Sequence, residues 1–219
     1  MILSTAYLPP VQYFALLSCG MTLSTDRVSP SQVYLEACES YRKQSYRNRC
    51  YILAPGGVEM LQVPILHDGA RLITDVRVDY SLPWVEKTFR ALDTAYYTSA
   101  FYEYYRDELL ALFEARPATL WELNSSLTGY LLGRCGIAAE LIPTTDFAPP
   151  TTEAPATFKA DDDWRERIDP KKPDTVLRDL DLDRPYYQLF SSRCGFIPGL
   201  SVVDLLFNEG PDSISWLRI

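Results

Sequence analysis

"ILSTAYLPPVQYFALLSCG", residues 2–20, decides the fold class, because it places an apolar run, a double proline and a second apolar run in immediate succession. The first run, 2–8, reads as a buried opening strand. Residues 9–20 read as a short helix with proline near its first turn and Gly20 as its stop. "QVYLEA", 32–37, supplies a second strand, so the chain opens as strand, helix, strand, the βαβ arrangement of a parallel pair.

Outward from there, "RCYILAPGGVEMLQVPI", 49–65, is a β-hairpin. Cys50 and Ile52 alternate with Tyr51 and Leu53, Pro55-Gly56-Gly57 turns the chain, and Leu61, Val63 and Ile65 share the next face. "DVRVDY", 75–80, reads as a further strand. Helical spacing then takes over. Ser81 and Pro83 begin a helix through "WVEKTFRALDTAYY", and Tyr102, Tyr105, Leu109, Leu112 and Phe113 form the buried stripe of a second. Thr119 with Glu122 is a capping box for a third, with the stripe Leu120, Leu123, Leu127 and Leu131 and an end marked by Gly133 and Gly136. We therefore expect a mixed α/β fold, with the strands of the first 80 residues in one sheet covered by helices from 82 to 134. A segregated α+β arrangement is the alternative, since strands precede helices.

The expected organisation is one domain in three stretches. Residues 1–144 form the core, and 145–184 are a proline-rich, charged excursion that includes Pro149, Pro150 and Pro155. Residues 185–219 dock back, with Ser201 capping a short apolar helix that Gly210-Pro211 ends. No internal repeat is present.

A chain of 219 residues that is 47% apolar can bury a full core, which excludes whole-chain disorder. A net charge of −8 argues against general nucleic-acid binding, which draws on clustered cations and counterion release. The longest apolar candidate for a membrane span, 6–23, is broken by Pro9, Pro10, Gln12 and Gly20, and it lacks the basic start of a secretory signal. Five cysteines without a CxxC pattern suggest reduced thiols in a cytoplasm, and a single histidine, His67, argues against a metal centre. No cofactor is indicated.

"SYRKQSYRNRC", 40–50, runs against the overall charge by gathering Arg42, Lys43, Arg47 and Arg49. If 41–51 is extended, period-two geometry puts Tyr41, Lys43, Arg47, Arg49 and Tyr51 on one side. Such a face could hold the phosphates of a nucleotide sugar or a thioester-type anionic ligand, with tyrosines as stacking surface. The plainer reading pairs these cations with carboxylates such as Glu36, Glu39, Asp75 and Asp79. Glu39, beside the cations, is a candidate base. Cys50, adjacent to Arg49, is a candidate nucleophile, although an alternating strand position is also where an inert buried cysteine lies. His67 stands in a turn-like stretch. No G-x-G-x-x-G, Walker A, G-x-S-x-G or H-E-x-x-H pattern assigns a reaction.

The stretches "YLPPVQYF", "ESYRKQSYRNRCYI", "LQVPI", "DVRVDYSLPWVEKTFRALDTAYYTSAFYEYY", "LWELN" and "GFIPGLSVVDLLFNEGP" occur in this order. Together they resemble the bacterial WbqC-like family, in the form seen in Bacteroides-type bacteria. The resemblance implies a role with O-antigen and other surface polysaccharides, and it places the family's R-N-R on Arg47, Asn48 and Arg49. Many members carry His-Gln-Pro at the end of the first strand; aligned on Tyr7-Leu8-Pro9, that histidine falls on Leu3.

Two functions follow as expectations. One is a group-transfer enzyme acting on an activated sugar, in which Tyr41, Lys43, Arg47, Asn48 and Arg49 bind the donor and Glu39 or Cys50 performs the proton or covalent step. The other is a non-catalytic module that recognises a carrier protein or a partner enzyme through the same face.

Overall fold

The computed structural model describes residues 1–19, 22–23, 28–147, 163–172 and 175–218. In chain order its elements are β1 (Ile2–Ser4), α1 (Val11–Ser18), β2 (Thr22–Leu23), β3 (Val28–Ser29), β4 (Ser31–Glu36), β5 (Arg49–Ala54) and β6 (Gly57–Gln62). There follow α2 (Trp84–Tyr96), α3 (Tyr102–Glu114), α4 (Leu120–Arg134), β7 (Ala139–Pro143), α5 (Thr175–Asp179), α6 (Ser191–Cys194), α7 (Val202–Glu209) and α8 (Ser213–Leu217). The class is α/β.

The parallel sheet has the order β1-β4-β7, with Ser4 opposite Glu36 and Leu35 opposite Pro143. The opening βαβ unit forms as its sequence predicts, but β1 is shorter than the apolar run. Leu8 takes a positive φ of 40°, and Pro9 and Pro10 have no N–H for a ladder, so the chain leaves the sheet after Ser4. Helix α1 is buried at every position, as expected of a helix that is apolar all round. The expected stop at Gly20 lies outside the described residues, as do residues 148–162 and 173–174 of the proline-rich excursion.

Two expectations need correction. The strands do not share one sheet: among the described residues β5 and β6 pair only with each other, in the register Arg49 to Gln62, and β2 with β3 makes a separate two-stranded ribbon. Residues 75–80 are not a strand either. They make the isolated bridges Ile65 to Val78 and Arg77 to Thr119, because the segment is shared between two different partners. Strand β7 was not foreseen. Its start is nevertheless fixed locally, since Gly136 at φ 68° lets Ile137 N–H reach Leu132 O at 2.9 Å and closes α4 in a Schellman motif.

Helices α2 to α4 form from the periodic stretches. Trp84 N-terminally opens α2 after Pro83, and the Thr119–Glu122 capping box opens α4. Phe113 is the aromatic centre of the core, with ring centroids 6.2 Å from Tyr7, 5.7 Å from Trp84 and 5.3 Å from Phe89. Residues 199–218 pack on the start of the chain and on β5: Val202 N–H donates to Pro9 O and Ser201 N–H to Tyr51 O, both at 2.8 Å. Among the described residues no helix is long and apolar enough to cross a membrane.

Asp204 of α7 ties this region together. Its carboxylate accepts from Tyr96 Oη and Tyr186 Oη, each at 2.7 Å, and from Gln188 Nε2 at 3.1 Å. Burial pushes its pKa up to about 6 against those three donors. A carboxyl whose folded pKa lies above its unfolded value holds its proton more tightly when folded, so its contribution to stability falls as pH rises through that interval. Between pH 4 and 7, wild type should lose about 3 kcal/mol relative to Asp204→Asn, the equivalent of a shift of roughly two units. Urea unfolding at several pH values checks this, and parallel pH profiles for the two proteins would refute it.

Candidate functional site

Open α/β sheets gather ligands at the carboxyl ends of their parallel strands. Here those ends carry two buried ion pairs. At the end of β4, Glu36 accepts from Thr144 Oγ1 at 2.6 Å, Cys38 N–H at 3.0 Å and Arg165 Nη1 at 2.7 Å. Arg165 in turn holds Asp163 through Nε at 3.0 Å and Nη2 at 2.6 Å. Beyond β4, Glu39 takes Arg47 in a bidentate pair, with Nε donating to Oε1 at 2.9 Å and Nη2 to Oε2. Ser4 Oγ, at the end of β1, donates to Glu39 Oε2 and accepts from Arg47 Nη2, both at 2.9 Å. Tyr13 Oη donates to the Ser4 carbonyl at 2.9 Å.

Glu39 and Arg47 are 5% and 4% exposed, so neither charge has water to fall back on. Burial raises the Glu39 pKa, while the hydrogen bond and charge of Arg47 and the Ser4 hydroxyl oppose that rise. A small pocket opens beside the pair, walled by Ser4, Tyr13, Tyr46, Arg47, Trp164 and Arg165.

The single extended face proposed for 41–51 does not exist. Residues 43–48 are turns and bends, with Gln44 at φ 59°, and alternation begins only at β5. Arg47 therefore faces inward to Glu39, and its carbonyl accepts from Asn124 Nδ2 at 2.8 Å. Arg42 pairs with Glu166 and, at 3.4 Å, with Asp169. Lys43 and Arg49 have no ion pair among the described residues.

Those two cations share a depression of about 410 Å³ with Tyr41, Asn48, His67 and Asp79. Four of the five residues expected to bind substrate, Tyr41, Lys43, Asn48 and Arg49, thus come together there, and Arg47 does not join them. The Nε of Arg49 is buried with no partner. Asn48 is fixed by its Nδ2, which donates to Val63 O at 2.9 Å. The Tyr41 pKa is raised by burial, against the lowering influence of Arg49 and Arg47.

Cys50 lies on the core face of β5, 1% exposed, where burial pushes its thiol pKa well up. The thiolate that a nucleophile needs is not populated at neutral pH. All five cysteines are free. Leu3 is buried in the core and offers no polar group at the strand end.

A model of the WbqC-like protein family matches residues 5–160. The chain belongs to the WbqC-like family. In this WbqC-like protein the matched stretch holds Tyr13, Glu36, Glu39, Arg47 and Arg49, whereas Arg165, which completes the Glu36 pair, stands beyond it. The chain is also similar to an uncharacterized protein of Mycobacterium tuberculosis, Rv1507c. The two are 28% identical over 197 residues, covering 81% of this chain and 84% of that protein. No solved structure matches.

Sequence reasoning singled out Glu39 and the cations but missed Ser4, Tyr13, Asp163 and Arg165 at the strand ends. One signal was available: Glu36 follows the apolar run Val33, Tyr34 and Leu35 at the end of the strand "SQVYLE", and a buried carboxylate requires a partner. Removing one member of the Glu39–Arg47 pair strands the other. Arg47→Met should cost about 3–5 kcal/mol in urea unfolding, and Glu39→Leu/Arg47→Met should recover most of it. A double variant that loses as much as Arg47→Met and Glu39→Leu added together would show that the pair is not coupled.

Proposed function

We propose that this WbqC-like protein is a cytoplasmic enzyme of bacterial surface-polysaccharide biosynthesis that transfers a group onto an amine or hydroxyl of an activated sugar. Family membership supports the setting. The observation that carries the site is the depression at Lys43 and Arg49: two cations without carboxylate partners among the described residues, in a chain of net charge −8. Charge-assisted contacts to a phosphate in the depression would supply the anion that both cations lack.

In this reading Lys43 and Arg49 hold the phosphate of the activated sugar, and Tyr41 and Asn48 orient it. Arg47 positions Glu39, and Ser4 Oγ links Glu39 to the pocket at the strand ends, so Glu39 can take a proton from a group bound there. Cys50 takes no part, because its thiol is in the core. Residues 1–144 carry the depression at Lys43 and Arg49, Trp164 and Arg165 close the pocket at the strand ends, and 185–219 complete the same working unit.

The test is a thermal-shift series with sugar phosphates, nucleotide sugars, acyl-CoA and free phosphate on wild type and on Lys43→Ala/Arg49→Ala. Ligand at ~100 times its dissociation constant should add ~2.7 kcal/mol and raise Tm by roughly 5–10 °C. The double variant should lose that shift and keep its ligand-free Tm within a few degrees, since neither cation makes an ion pair among the described residues. A shift that survives the double substitution overturns the site. Binding by wild type without ligand consumption would replace the enzyme with a binding module.

A further inference from the structure

The alternation that fails before residue 49 holds within β5. Arg49 and Tyr51 lie on one face of the hairpin, opposite Gln62 and Met60 of β6, while Cys50 faces the core. Two residues of strand separate their Cα atoms by roughly 7 Å. The cationic depression, which reaches Arg49 and Gln62, and a second concavity, which reaches Tyr51 and Val58, thus both lie on this hairpin face.

That groove, of about 280 Å³, is walled by Tyr46, Tyr51, Leu177, Ile197 and Pro198, with Asp169 and Lys172 adding a carboxylate and an ammonium. Apolar walls with a few polar groups are the usual lining of a small-ligand site. The tyrosine rings meet edge to face, centroids 6.1 Å apart at 88°. A perpendicular pair offers no parallel slot in which a flat base could be sandwiched. A pyranose needs less: one aromatic surface for its C–H face, and charged groups for its hydroxyls.

We infer that the Tyr46–Tyr51 groove is the sugar-ring subsite of the ligand whose phosphate binds at Lys43 and Arg49, which makes the substrate a glycosyl phosphate seated along one hairpin face. The inference rests on the anion-site reading above. It adds the length and chemistry of the ligand: an anion and a hexose ring spaced as Arg49 and Tyr51 are.

The experiment measures the affinity of pyrophosphate, glucose 1-phosphate and uridine monophosphate by calorimetry on wild type, Tyr51→Ala, Tyr51→Phe and Lys43→Ala/Arg49→Ala. Tyr51→Ala should weaken glucose 1-phosphate by about tenfold, the size of one aromatic contact, and leave pyrophosphate within about twofold. Tyr51→Phe should keep both affinities, which separates loss of the ring from damage to the fold. Equal effects of Tyr51→Ala on pyrophosphate and glucose 1-phosphate would overturn the subsite. So would a Tyr51 dependence seen with uridine monophosphate and absent with the sugar phosphate. Either of these leaves the anion site standing, whereas pyrophosphate binding that survives Lys43→Ala/Arg49→Ala removes the anion site itself.

Discussion

The Glu39–Arg47 pair is the constraint from which the geometry of the site follows. Taking two charges out of water costs several kcal/mol per ion, and only close geometry with further hydrogen bonds offsets it. Both conditions are met here: the pair is bidentate, and Ser4 Oγ bridges its two members. Because Ser4 ends β1, Glu39 follows β4 and Arg47 precedes β5, the pair fixes three separate stretches against one another. Tyr7 N–H donating to Tyr46 O at 2.8 Å, and Asn124 Nδ2 donating to the Arg47 carbonyl, hold the same corner from the backbone side.

Once Arg47 is committed inward, the rest of the cationic stretch is divided by geometry. Arg42 reaches the acidic stretch at 166–169, and the hairpin starting at Arg49 carries Arg49 and Tyr51 outward. What concentrates positive charge in an acidic protein therefore has two answers. Arg42 and Arg47 neutralise carboxylates of their own chain, and Lys43 and Arg49 are left facing a depression. The plain ion-pair reading describes Arg42 and Arg47 and leaves out Lys43 and Arg49.

The strand ends carry a second pair built on the same physics. Glu36 is fully buried and reaches Arg165 across 129 positions of sequence. Trp164 N–H donates to Ile2 O at 3.0 Å, which lays 163–165 beside β1 and brings Arg165 to the end of β4. The pocket at the strand ends is thus closed by a stretch that lies far along the chain from the strands it covers. Both buried carboxylates come from residues 36–39, and each is answered by one arginine.

Much of the fold was legible because it depends on local periodicity. Apolar spacing, the Thr119–Glu122 box, Gly136 and the Pro55-Gly56 turn placed α2, α3, α4 and the hairpin, and the sequence of 2–37 placed the opening βαβ unit. Strand β7 and the division into separate sheets were not legible, since which strand pairs with which is settled by packing between distant segments. The site divides in the same way. By itself the sequence determined that residues 39–50 concentrate charge, and that Arg49, Cys50 and Tyr51 alternate once extended. Only the tertiary structure decided which cation is spent in the core, which carboxylate answers it and which cations remain exposed, because an ion pair is chosen by distance in space and a side chain carries no record of its distant partner.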